Sequence, residues 1–402
     1  MTTEQIQLVK STAPILREHG VLLTTHFYKR MFEHNPELKH VFNMGNQQNS
    51  KQQTALALAV LAYAEHIENP AALMPAVDHI GQKHTSLDIR PEHYAIVGKH
   101  LIASISEVLG ESASPALLEA WTRAYQQLAS IMSGHEQKIY DTQTSKMGGW
   151  TGWRPFIVKQ KIQESAEITS FYLYPSDEGQ VAAHLPGQYI SLRLFLPELN
   201  LLQPRQYSVS SSPNGKYYRI SVKREAGNQH ADGLISNRLH DHVQEGDVVE
   251  LSAPAGSFVL NKEGQAHKVF ISGGVGQTPL LSMLEYIVSH PQVDQTPVTW
   301  IHGCRSEQVH AFKDRIVEIS SIYQQINQHI FYEDIVVPAE NRYPGRVELA
   351  VLKNEILGTK ADYYICGPAP FIRKHYEYLI ANGVSQHAIH FEEFGPASLQ
   401  LN

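Results

Sequence analysis

The stretch AVDHIGQKHTSLDIRPEHY, residues 76–94, places a histidine where it could do chemistry. Leu73, Val77, Ile80 and His84 recur at helical spacing, so the imidazole of His84 leaves the apolar face of a helix and points toward a core. With 22 histidines in the chain, one such residue is more often a satisfied core imidazole than a ligand, and its partners must decide. On the next helix Tyr94 shares a face with Val97 and Leu101, and further on Glu136 continues the apolar stripe of Trp121, Tyr125, Leu128 and Met132. A carboxylate on a buried stripe requires a hydrogen-bonding or charged partner. Tyr28 stands beside Phe27, and Gln52 falls in line with Leu56, Val60 and Tyr63. Two readings follow: a set of satisfied core polar groups, or a haem pocket. In the second, His84 is the axial ligand, Tyr94 and Glu136 orient it, and Tyr28 and Gln52 face it from the other side.

A second set of residues suggests nucleotide chemistry. FISGGVGQTPLLSML, residues 270–284, begins as a buried strand, turns through Gly273, Gly274 and Gly276, and enters a helix with Thr278 as expected N-cap and Pro279 at its first position. Such a turn lays backbone N–H groups against a pyrophosphate. Pro279 stands where the dinucleotide fingerprint has its third glycine, so a merely tight strand-to-helix turn explains the motif equally well. In RQYS, Arg205 to Ser208, the arginine can pair with a phosphate and the tyrosine can pack on a flat ring. Arg305, after the strand VTWIHGC, reads either as a partner for the 2′-phosphate of NADPH or as an exposed loop arginine.

The elements that must position these residues fall into three parts. Up to residue 140 the apolar residues keep a helical period: a helix closed by Asn35 and Pro36, a polar separator at 43–50, and helices from about Lys51 and over 71–86, 91–109 and 115–140. The Gly-rich segment 141–153 reads as a linker, where the helical period stops. Short β-rich runs then predict an antiparallel β-barrel over 154–263, and alternating strands and helices predict an α/β domain over 264–402. A formal net charge of -7 with 18% charged residues gives no support to nucleic-acid binding. The two cysteines, Cys304 and Cys366, cannot build a disulfide framework. The most apolar run, 54–64, is too short to span a membrane, and a cytoplasmic location is expected.

The motifs occur in a telling order. RQYS, VKRE at 222–225, GLIS at 233–236, GGVGQTP at 273–279, CGP at 366–368 and FGP at 394–396 together resemble the ferredoxin-reductase-like flavoenzymes. That resemblance implies FAD on Arg205, Gln206, Tyr207 and Ser208 with Tyr189 beside them, and Gly233 to Ser236 near the flavin phosphates. It implies NADH or NADPH on Gly274, Val275, Gly276, Gln277, Thr278 and Pro279, with Cys366 and Phe394 near the nicotinamide and flavin rings. For Cys366, a small buried residue at a strand end is the other reading. HFYKRMFEHNPELKHVFNM, QKHTS, RPEHYAIVGKHL and AWTRAYQQLA resemble the globin domain of flavohaemoglobins, and the likeness runs on to HFEEFGP. It implies haem b held by His84, a relay through Tyr94 and Glu136, a distal pocket of Tyr28, Gln52 and Leu56, and Lys83 and Glu392 near the electron path between flavin and haem. Relatives often carry cysteine before the terminal FGP. This chain has Glu393 there, followed by Phe394, Gly395 and Pro396.

A nicotinamide delivers a hydride and a haem iron accepts single electrons, a mismatch that a flavin resolves. The resemblance therefore implies a nitric oxide dioxygenase that turns nitric oxide and dioxygen into nitrate with electrons from NAD(P)H. It is expected to act as a monomer without nucleic-acid or membrane partners. A general NAD(P)H-dependent haem or flavin reductase and a non-enzymatic oxygen-binding or gas-sensing globin are the other expectations.

Overall fold

Helices begin where capping residues precede the apolar period. The computed structural model describes residues 1–48, 50–225, 233–262, 266–290, 296–334, 340–358 and 360–394, so Gly395 and Pro396 lie outside the described residues. Thr2 and Gln5 form a capping box at helix α1 (Thr3–Ser11), and Ser114 caps helix α7 (Pro115–Ser145) by accepting from the Leu117 N–H. Between them come α2 (Ala13–His34), α3 (Met44–Gln48), α4 (Lys51–Glu65), α5 (Met74–Ser86) and α6 (Pro91–Leu109). Pro36, Pro70, Pro91 and Pro115 all sit in first turns, where a missing N–H costs nothing. The helices enclose a core of Phe27, Met31, Val60, Tyr63, Leu101, Ile105 and Trp121.

Two expectations for this part are corrected. The separator at 43–50 contains the short helix α3, started by Asn43, whose side chain accepts from the Gly45 N–H. Helix α7 also runs past Tyr140 into the expected linker, to Ser145. The polar residues there support the helix: Gln137 donates to Asp141 one turn on, and Thr142 and Thr144 return their hydroxyls to the carbonyls four residues back. The helix ends only as Gly148 and Gly149 approach. A Cβ on Gly149 would fall 1.9 Å from the Gln143 carbonyl oxygen, so the chain folds back tightly against the end of α7.

The described residues form two compact units: Met1–Trp153 with Ser191–Arg205, and Arg154–Ile190 with those from Gln206 to Phe394. In the second, strands β1 (Arg154–Gln163) and β2 (Ile168–Pro175) are antiparallel. Strand β3 (Tyr189–Leu196) begins there, with Tyr189 bridged to Ala255, and runs into the first unit, where β4 (Leu201–Ser208) starts. Strand β5 (Tyr218–Lys223) pairs with β2, helix α8 (Leu234–Asp241) follows, and β6 (Val248–Leu251) pairs with β1.

The remaining chain builds a second sheet from β7 (His267–Gly273), helix α9 (Gln277–Ser289), β8 (Val298–Cys304), α10 (Lys313–Ile322), β9 (Ile326–Tyr332), β10 (Arg342–Pro344), α11 (Lys353–Ile356), β11 (Ala361–Gly367), α12 (Ala369–Ala381) and β12 (Ile389–Glu393). Its strands pair in parallel in the order β10-β9-β8-β7-β11-β12. The order reverses between β7 and β11, so a crevice opens beyond their carboxyl ends, where α/β sheets bind nucleotides. Among the described residues no helix is long and apolar enough to cross a membrane.

Beneath that crevice, His302 on β8 stacks on His310 with ring centroids 4.8 Å apart, and both imidazoles are buried. Burial holds the His302 pKa well below its ordinary value and brings that of His310 down to about 4. The unfolded chain takes up protons near pH 6.5 that the folded lobe refuses. The stability these neutral rings permit is therefore present above that pH and is lost as pH falls toward 4. Thermal unfolding followed by circular dichroism should show a midpoint that drops from pH 6.5 to 4. The drop should be shallower in His310→Gln, and an equal slope in both proteins would refute the assignment.

Candidate functional site

The geometry of His84 answers whether it has partners. Helix α5 crosses α7 closely at Gly81, where a Cβ would lie 3.0 Å from the His135 ring and 3.3 Å from Ile139. One turn on, His84 Nδ1 lies 2.7 Å from Glu136 Oε1 and 3.1 Å from the Tyr94 hydroxyl, which itself donates to the same carboxylate oxygen at 2.5 Å. Glu136 is 2% exposed. A carboxylate this deeply buried accepts, so Nδ1 of His84 carries the proton and Nε2 keeps its lone pair. Burial first, and then Glu136, raise the Tyr94 pKa well above the ordinary phenol value, which keeps its hydroxyl a donor. Among the described residues no side chain hydrogen-bonds Nε2, so its lone pair is free and fits a bond to a haem iron.

Tyr125 holds this relay in place and was not singled out for it by sequence reading. Its hydroxyl donates to the Tyr94 carbonyl at 2.6 Å, and its ring fills the space over Gly98, where a Cβ would come within 2.4 Å. The presence of Gly98 four residues after Tyr94 was the available signal.

Tyr28 is buried on α2, with the Phe27 ring edge-on at 4.9 Å and the Phe32 ring stacked at 5.9 Å. Burial raises its pKa and keeps it protonated, while the Gln52 side chain hydrogen-bonds it with the opposite, weaker effect. Gln52 and Leu56 are half-buried, and the fully buried residues of α4 are Gln53, Ala57, Val60, Tyr63 and Ala64. Gln47 on α3, which sequence reading passed over as part of a separator, donates from Nε2 to Gln52 Oε1 at 2.9 Å. Gln53 Nε2 donates in turn to the carbonyl and side-chain oxygens of Gln47, both at 3.0 Å.

The flavin-associated residues are placed strand by strand. Gln206, Tyr207 and Ser208 end β4, with Ser208 buried, while Arg205 donates to the Pro204 carbonyl. Tyr189 opens β3 with its ring against Gly256, where a Cβ would lie 2.9 Å from it. Gly233 precedes α8 and accepts from the Ser236 hydroxyl at 3.0 Å, and a Cβ on Gly233 would fall 2.4 Å from that hydroxyl. The first turn of α8 is thus kept close to Gly233 with its N–H groups forward, a cradle suited to phosphate.

The expected coenzyme residues come together at the switch point. After β7 the chain takes Gly274 through a φ of +56° and tightens into a 3-10 turn over Gly274–Gly276. It passes straight into α9, so Gly276 precedes the helix, Gln277 is its first residue and Pro279 its third; the expected N-cap at Thr278 is corrected. No break in the chain leaves Thr278 outside the helix, and its hydroxyl donates back to the Val275 carbonyl at 3.0 Å. A Cβ on Gly276 would lie 2.2 Å from the Cys366 carbonyl oxygen, so only glycine lets this turn lie against the end of β11. The Gln277 Oε1 is buried without a partner among the described residues, an acceptor suited to a coenzyme amide or hydroxyl.

Cys366 is buried opposite Ser272 and Glu392 in register, and burial raises its thiol pKa well above the ordinary value. Burial also pushes the Glu392 carboxyl up to about 8, and its Oε2 is without a hydrogen-bond partner among the described residues. Glu393 ends β12 and Phe394 follows, 43% exposed. Lys83, next to His84, is half-buried with its pKa lowered by burial. Arg305 is ion-paired with Glu167 and so does not stand as an uncommitted phosphate partner.

A helical N-terminal region with a histidine tied to a buried carboxylate, followed by an antiparallel sheet and a parallel sheet with a glycine turn at its switch point, defines a haem- and flavin-dependent oxidoreductase. Residues 25–132 match the globin family, 155–260 the oxidoreductase FAD-binding domain and 270–376 the oxidoreductase NAD-binding domain. The chain is 49% identical over 402 residues to a flavohemoprotein of Bordetella parapertussis, covering 98% of each. It belongs to the flavohaemoprotein family, whose cofactors are haem, FAD and a nicotinamide coenzyme. The Malassezia yamatoensis flavohemoglobin, solved with bound FAD and heme, shares the fold at a TM-score of 0.86 and 24% identity, covering 98% of this chain and 99% of that one. The FAD/NAD-binding domain of a nitric oxide dioxygenase from Vibrio cholerae matches at 37% identity and a TM-score of 0.55, over 60% of this chain and 99% of that one.

Replacing Glu136 by Gln keeps an acceptor for His84 and removes the charge. Haem should be retained while the iron–histidine stretching frequency of the reduced protein falls, and an unshifted band would make Glu136 a mere core carboxylate. Gly276→Ala should slow flavin reduction by NADH severely while the haem spectrum stays normal. Stopped-flow flavin bleaching checks this, and a parental rate would show that the turn can open without loss.

Proposed function

We propose that this protein is a nitric oxide dioxygenase, which converts nitric oxide and dioxygen to nitrate with electrons from NADH or NADPH. Each nitrate formed takes up one electron, so one hydride supports two turnovers. The haem supplies an oxygen-binding iron and the flavin divides the hydride into single electrons. One observation carries the reading: a histidine whose Nδ1–H is given to a buried carboxylate, in a chain that also has flavin- and nicotinamide-binding folds. A carrier needs no supply of electrons, whereas a reaction that uses one per cycle does.

The residues divide the work. Glu136 and Tyr94 would fix the His84 ring where it holds the haem iron and would add to its electron donation there. Tyr28 would offer its hydroxyl proton to a bound gas, with Gln52 positioning Tyr28 and Leu56 adding an apolar wall. Arg205 to Ser208, Tyr189, Gly233 and Ser236 hold FAD. Gly274 to Pro279 and Cys366 hold the coenzyme, and Glu393 and Phe394 adjoin the flavin. Lys83 and Glu392 serve the electron path. Two buried free cysteines suit a reducing cytoplasm, and we read the protein as a monomer there.

NADH oxidation in air should accelerate when nitric oxide is added, with nitrate as product, in the haem- and FAD-loaded protein. Oxidation indifferent to nitric oxide would leave a general reductase in its place. Tyr28→Phe keeps the ring and removes the hydroxyl. At about 1.5–3 kcal/mol for a hydrogen bond to a charged acceptor, O2 dissociation from the reduced protein should quicken by roughly tenfold to a hundredfold. Flavin reduction by NADH should stay at the parental rate, and unchanged O2 dissociation would reduce Tyr28 to a packing residue.

A further inference from the structure

The polar groups beside Tyr28 form a chain with a direction. Gln53 Nε2 donates to Gln47 Oε1 at 3.0 Å, and Gln47 Nε2 donates to Gln52 Oε1 at 2.9 Å. With its oxygen turned to Gln47, the planar Gln52 amide has its NH2 on the other side, and the bond it makes to Tyr28 acts on the phenol as a donated bond does, by favouring the ionised form. A phenol that accepts from Gln52 keeps its own proton for another acceptor. Had the Gln52 amide the opposite orientation, its oxygen would take the Tyr28 proton and nothing would be left to give.

We propose that Gln47 is a positioning residue that sets the donor polarity of the distal pocket: it fixes the orientation of the Gln52 amide, so that the Tyr28 hydroxyl is directed to the gaseous ligand and not to Gln52. The position is built for this. Gln47 is held at its own oxygens by Gln53, which is 7% exposed, and so presents its NH2 to Gln52. An amide can serve because it donates at one end and accepts at the other, and a carboxylate of the same shape cannot. Among the described residues the partners shown for the Gln52 side chain are Gln47 and Tyr28.

The inference rests on Tyr28 donating to the ligand, and the test separates the two. Gln47→Glu changes one NH2 to an oxygen in a half-buried side chain, a small perturbation of packing. Above the pKa of the new carboxyl it can only accept, so the Gln52 amide must turn its NH2 toward it and its oxygen toward Tyr28. O2 dissociation from the haem-loaded, chemically reduced protein should then quicken to the rate of Tyr28→Phe. The C–O stretching band of the carbonmonoxy protein should shift in the same direction as in that variant.

On acidification the carboxyl introduced by Gln47→Glu regains an O–H to donate to Gln52, so both readouts in that variant should return toward the parental values while Tyr28→Phe does not respond. Gln47→Leu, which removes the tether without reversing it, should fall between the two. If Tyr28→Phe alters dissociation and Gln47→Glu leaves it at the parental rate, the polarity role is overturned while the Tyr28 assignment stands. If neither variant alters it, both fall. A pH-independent change in Gln47→Glu would mark a packing effect and overturn the proposal as well.

Discussion

Everything on the proximal side depends on the carboxylate of Glu136 being buried with two donors aimed at one oxygen. A carboxyl group 2% exposed is costly to remove from water, and the bonds from His84 at 2.7 Å and Tyr94 at 2.5 Å compensate it. The same bonds orient the imidazole, select its tautomer and leave the Nε2 lone pair free. The helix packing follows from this requirement. Gly81 lets α5 approach α7 closely enough for His84 to reach the carboxylate, and Gly98 lets Tyr125 lie flat and hold the backbone of Tyr94. Two missing methyl groups thus set the position of one basic lone pair.

The second unit meets its constraint with the same means. The glycine turn after β7 reaches the end of β11 only because Gly276 has no side chain, and the contact places the first turn of α9 beside Cys366. Buried histidines support the floor below, neutral at physiological pH because burial penalises their charge. The cost of that arrangement is sensitivity to acid, which a core of aliphatic side chains would not carry. A like reasoning applies to Glu392, a buried carboxyl with its pKa raised to about 8 beside the edge of Cys366.

The main outlines could be read from residue order alone. Helical spacing put His84, Glu136 and Tyr28 on inward faces, and the strand β1 coincides with RPFIVKQKIQ, since period and turn residues act locally. The change from helical period to short β-rich runs and then to alternating strands and helices was legible for the same reason. What escaped was set by contacts distant in sequence or by side-chain direction. The period through Leu56, Val60 and Tyr63 did not single out Gln53, which is buried beside the half-buried Gln52. Gln47 lay in a polar run that reads as loop, and only the fold shows that its amide meets two others. Helix α7 outlasted the expected boundary because threonine hydroxyls can return to the helix backbone as well as leave it.

The length of α7 bears on how the haem-binding part could be separated from the rest. A cut after residue 140 would follow the motif boundary and yet sever the helix with five of its residues missing, since it runs to Ser145. The loss would reach inward. Tyr140 donates to the Ile89 carbonyl just beyond α5 and carries the Arg90 guanidinium over its ring at 4.1 Å, so fraying of this end would loosen the corner between His84 and Tyr94. The turn that closes the helix comes later still, where Gly149 lies against the Gln143 carbonyl. A minimal gas-binding fragment therefore has its natural end after this glycine clasp, several residues beyond the point that similarity to other globins would select.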